Sequence, residues 1–144
     1  MQSRWMGTDE AGYGPNLGPL LISVTSWRVP GSAEGFDLYS ALSGAVDRNS
    51  HCDGTRLQIA DSKQVYQTSR GLSSLETSAL ALLGQIGPIP ATYQELVQQL
   101  TGRRLRDFEG EPWLRDGDLN LPVAAKLDNI ERLAVQLTQV CKQH

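Results

Sequence analysis

The sequence is poor in the residues on which small stapled or metal-built proteins depend. It has two cysteines, Cys52 and Cys141, and two histidines, His51 and His144, in 144 residues. Two cysteines make neither a disulfide framework nor a four-ligand zinc site. His51 and Cys52 have no second pair at metal-ligand spacing and read as a surface loop. With the other histidine last in the chain, a Ser-His-Asp triad has no suitable member. Apolar runs last only a few residues, too short to span a bilayer. The opening Met1-Gln2-Ser3-Arg4-Trp5-Met6-Gly7 lacks the apolar stretch of a signal peptide. An excess of positive charge is also missing: 13 Lys+Arg stand against 16 Asp+Glu. That balance excludes coating nucleic acid by bulk charge and leaves room for a local basic groove. What is present, 40% apolar and 20% charged residues, suits one soluble, cytoplasmic domain over residues 1–144.

The pattern predicts a mixed α/β fold. Trp5 to Glu10 reads as a strand entering a turn with Gly12, Gly14, Pro15, Gly18 and Pro19. The run from Leu20 to Trp27 reads as a second strand, buried on much of both faces. Asp37 is placed to cap a helix through Leu38, Leu42 and Val46. Arg56 to Ala60 alternates as a short strand with Leu57 and Ile59 on one face. Ser73-Ser74-Leu75-Glu76 has the form of a capping box for a helix stopping at Gly84. Thr92-Tyr93-Gln94-Glu95 repeats it for a helix stopping at Gly102. From Pro122 onward, Val123, Leu127, Ile130, Ala134, Leu137 and Cys141 recur at helical spacing. They predict a core-packing helix, with a partner-binding seam as the alternative.

Chemistry concentrates in Gly7-Thr8-Asp9-Glu10-Ala11-Gly12-Tyr13-Gly14-Pro15. Two adjacent carboxylates stand where a strand runs into glycines. Neighbouring strand residues face opposite sides, so both reach one ion only where the strand ends or bulges. The bland reading is a solvated acidic pair before a turn. A dinucleotide loop fits poorly, since Gly12, Gly14 and Gly18 miss the required spacing and a strand follows. No Gly-Lys-Ser/Thr occurs, which excludes a Walker loop. Asp61-Ser62-Lys63 places an acid, a hydroxyl and a cation after a strand; taken alone it reads as a helix cap. Asp116-Gly117-Asp118 opens like a calcium loop, but Leu121 and Leu127 stand where such a loop needs Gly and Glu. Arg103, Arg104 and Arg106 read either as a solvated loop face or as phosphate contacts.

Together, Gly7 to Pro15 and Asp61-Ser62-Lys63 resemble the D-E-A-G-R-G-P and D-S-K motifs of type 2 ribonucleases H. The terminal helix resembles that family's helix before the strand with its third carboxylate. The resemblance implies a ribonuclease H-like mixed sheet flanked by helices. It also implies cleavage of RNA in RNA–DNA hybrids, or at ribonucleotides in DNA. Asp9 and Glu10 would be catalytic and would hold Mg²⁺ or Mn²⁺ as the first half of a four-carboxylate, two-metal site. Gly12, Tyr13 and Gly14 would meet the 2′-hydroxyl, and Lys63 the substrate backbone. Tyr13 replaces the family's Arg and removes a phosphate-binding charge. Nothing after the terminal helix supplies the third and fourth acids. The chain therefore reads as the N-terminal portion of a longer nuclease, inactive alone and prone to homo-oligomerise through an open sheet edge or the last helix. A non-catalytic nucleic-acid-binding or scaffold module is the alternative.

Overall fold

The computed structural model describes residues 2–11, 21–49, 54–66, 71–108, 110–111 and 119–143. Among them the chain is mixed α/β, with two two-stranded sheets and five α-helices. Strands β1 (Gln2–Ala11) and β2 (Leu21–Pro30) form an antiparallel ribbon in unbroken register, from Gln2 opposite Pro30 to Ala11 opposite Leu21. Helix α1 (Leu38–Ala41) is followed by β3 (Val46–Asp47) and β4 (Leu57–Gln58), which pair in parallel. Four helices complete the order: α2 (Ser62–Val65), α3 (Ser73–Leu83), α4 (Tyr93–Thr101) and α5 (Leu127–Cys141). The described strands thus stand in two sheets rather than the one expected.

The core lies where α3 and α5 close over the parallel pair. Leu42, Val46, Leu57, Leu80, Ala81, Ile130, Leu133, Ala134 and Leu137 are buried there as one cluster. Polar bonds fasten its layers. Ser78 Oγ on α3 donates to Gln58 O on β4 (2.7 Å), and Tyr39 Oη donates to Ile59 O (2.9 Å). The Gln85 amide donates to Ala81 O and Ala134 O, each at 3.1 Å, while its Oε1 accepts from Thr138. Arg56 on the approach to β4 pairs with Asp47 of β3 at 3.0 Å.

Several expectations are corrected. The helix capped by Asp37 lasts one turn, and Val46 belongs to β3 instead. Asp37 Oδ1 does accept from Tyr39 N–H and Ser40 N–H. Strand β2 is exposed over most of its length, not buried on both faces, with Ile22 68% accessible. Its residues have strand propensity, but no described element lies across the outer face of the ribbon to bury them. Only Val29 is buried, and Trp27 packs at the edge of the core.

The capping box at Ser73 is absent: the cap position is Leu72, with no side-chain bond. Glu76 is taken elsewhere. Its carboxylate accepts from the N–H groups of Val123, Ala124 and Ala125 at 2.5, 2.6 and 2.7 Å. Those three amides occupy the approach to α5, which begins at Leu127 rather than near Pro122. Val123 and Cys141, expected on the packed face, are exposed. At α4 the Thr92 cap and the Gly102 stop hold, while Glu95 reaches one residue past the cap amide. Thr92 Oγ1 accepts from Glu95 N–H, and Glu95 accepts from Ala91 N–H. Gly102 ends the helix at φ 71°, where glycine is favoured. At the base of this segment Tyr93 N–H donates to Leu119 O and Leu121 N–H to Ala91 O, both at 2.8 Å.

Candidate metal and nucleic-acid site

The acidic pair is set by the register of the ribbon. Asp9 stands opposite Ser23 and Glu10 opposite Ile22. Because side chains alternate across a strand, the two acids lie on opposite faces. Asp9 shares its face with Trp5, Trp27 and Val29, the side turned to the core. Glu10 shares the outer face with Met6, Val24 and Ile22, all exposed. The register is unbroken through Ala11, so no bulge brings the acids together within β1; the strand's end falls one residue beyond Glu10.

Both acids are exposed. The Glu10 N–H donates to Asp9 Oδ1 at 2.9 Å, which holds that carboxylate against its neighbour's backbone. Among the described residues neither acid has an ion-pair partner.

Asp61 caps α2, its Oδ1 accepting from Lys63 N–H at 2.9 Å. The cap reading of this motif holds. Lys63 itself is exposed, and among the described residues no ion pair joins it to Asp9 or Glu10. Gly12, Tyr13 and Gly14 lie outside the described residues, as do His51, Cys52, Asp116 and Asp118. Among the described residues no three His, Cys, Asp or Glu come together as a metal cluster. The donors present suit Mg²⁺ or Mn²⁺ in kind, being carboxylate oxygens, and in number give two of the four acids. Desolvation of part of its side chain pushes the Cys141 thiol up from its ordinary value.

The basic cluster divides. Arg103 folds back along its own turn, donating to Asp107 O at 2.7 Å and lying 4.2 Å over the Phe108 ring. Arg104 and Arg106 instead face α4, where they meet Gln94 and Gln98. The signal those glutamines carry in the sequence is two amides one helical turn apart on a polar face.

Comparison of the chain with protein-family models, with curated proteins and with solved structures gives no match. Among the described residues no helix is long and apolar enough to cross a membrane.

Proposed function

We propose that Asp9 and Glu10 are the first two carboxylates of a divalent-metal nuclease built on a ribonuclease H-like fold. It would act in the cytoplasm on RNA in RNA–DNA hybrids or at ribonucleotides in DNA. The observation that carries this reading is two adjacent exposed acids, without an ion-pair partner among the described residues, at the end of a strand leading into glycines. A free-standing acidic pair raises local negative potential without stabilising the fold, which suits a cation-binding role. Bound Mg²⁺ or Mn²⁺ would activate water and steady the leaving oxygen at a scissile phosphate. In this chain Asp9 and Glu10 would hold the ion, and Lys63 would offer a cation to the substrate backbone. The register gives the second reading its support: acids on opposite faces, with no third donor among the described residues, favour a non-catalytic nucleic-acid-binding module.

Cleavage of a labelled RNA–DNA hybrid in Mg²⁺ or Mn²⁺, by the protein that carries this chain, separates the two. Asp9→Asn is expected to lower the rate by about a hundredfold or more, since even neighbours of metal ligands cost tenfold to a hundredfold. Hybrid binding without cleavage at any metal concentration, unchanged in Asp9→Asn, would establish the binding module instead.

A further inference from the structure

A second feature of the surface is built from other residues. Helix α4 ends at Gly102, whose left-handed backbone turns the chain back on itself. The segment that follows contains a 3₁₀ turn, Leu105–Phe108. The reversal sets Arg104 and Arg106 against Gln94 and Gln98, and the four line an open groove of about 390 Å³.

The neighbouring charges leave these two arginines available. Asp107, the acid between them and Phe108, accepts the Arg104 N–H at 2.9 Å, so its carboxylate faces backbone. Arg103 is occupied by Asp107 O and the Phe108 ring. Among the described residues neither Arg104 nor Arg106 has an ion-pair or hydrogen-bond partner for its guanidinium. Two planar guanidinium groups beside the Gln98 amide form a wall of donors. That arrangement matches the paired oxygens of a phosphodiester better than a point charge would. Most protein–nucleic acid hydrogen bonds go to such phosphates, from Arg and Gln among others.

We infer that this groove seats backbone phosphates of a nucleic acid strand through Arg104 and Arg106, with Gln98 as a neutral donor. The inference rests on the nuclease or binding-module reading only for the identity of the polymer. Since the chain as a whole is acidic, with a formal charge of −3, affinity comes from this local pair rather than from bulk attraction.

Fluorescence anisotropy of a short labelled RNA–DNA hybrid, titrated with the protein in EDTA across a salt series, tests it without metal or cleavage. Arg104→Ala with Arg106→Ala is expected to weaken binding by about tenfold per arginine. The slope of log affinity against log salt should become shallower by about two units. Both side chains are exposed, and far-ultraviolet circular dichroism will confirm that the variants fold. Arg104→Lys with Arg106→Lys should keep the slope and still lose affinity several-fold, because an ammonium cannot chelate two oxygens. Because the titration is run in EDTA, where no cleavage occurs, a failed nuclease reading leaves this result intact. Unchanged affinity and slope in the double Ala variant would overturn the inference. So would inorganic phosphate that binds the groove as tightly as the hybrid, which would make it a site for small phosphates.

Discussion

At the scale of single residues, Glu76 shows how a side chain can satisfy a distant backbone. Residues 123–125 present three successive N–H groups ahead of α5, and one carboxylate from α3 accepts all three. Charge-assisted bonds of this kind are the strong ones. Glu76→Ala is expected to destabilise the protein by about 2–3 kcal/mol in urea unfolding. Glu76→Gln, which keeps one acceptor oxygen and loses the charge, should cost about half as much. Equal stability of both variants and the parent would show that water replaces the clamp. The sequence displayed Glu76 as a local cap residue because serine stands three positions before it. What it could not display was that the amides of Val123 to Ala125 would compete for the same carboxylate.

At the scale of elements, legibility followed locality. Thr92, Asp37 and Gly102 act within their own turn of helix, so the residue types alone identified their roles. The packed face of α5 was readable from Ile130, Ala134 and Leu137, which are buried against α3. Its start was not, because residues 121–126 serve contacts made far away in the chain. The exposure of β2 was equally unreadable: Ile22 and Val24 suit any pleated surface, and burial is decided by what lies across from them. For the same reason the sequence brought Asp9 and Glu10 forward as a pair but not the faces on which they lie. Leu137 has no accessible surface, and Leu137→Ala should cost about 3–4 kcal/mol through lost burial and the cavity left behind. Leu127→Ala, at a half-exposed position of the same helix, should cost under about 1 kcal/mol. Chemical denaturation of the two variants measures the contrast, and similar losses would mean that α5 packs by another face.

At the scale of the molecule, the ribbon and the core differ in kind. The core is closed by α3 and α5, while the outer face of the ribbon exposes Met6, Ile22 and Val24 together. Arg4 stands directly opposite Arg28 on that face, a like-charge pair that adds nothing to its stability. Exposed apolar surface beside unpaired strand edges promotes association. The protein is therefore expected to gain mass with concentration in size-exclusion chromatography with light scattering, and Val24→Lys to shift it toward monomer without changing its unfolding midpoint. A clean monomer at high concentration would remove the expectation. The last helix is a poorer candidate for such contacts, since its main apolar face is already covered by α3.

The pair of backbone bonds joining residues 91–93 to residues 119–121 has a separate consequence. It pinches α4 and the arginine turn into an excursion with a narrow neck, whose two ends already sit side by side. Loop-closure entropy changes by only about 0.6 kcal/mol per doubling of loop length. The excursion is therefore a replaceable module: a short reverse turn grafted between Thr92 and Asn120 would excise the basic groove whole. Among the described residues the loss to the rest of the molecule would include what buried Val97, the Gln99 bond to Leu83 O and the Glu95 bond to Ala91 N–H contribute.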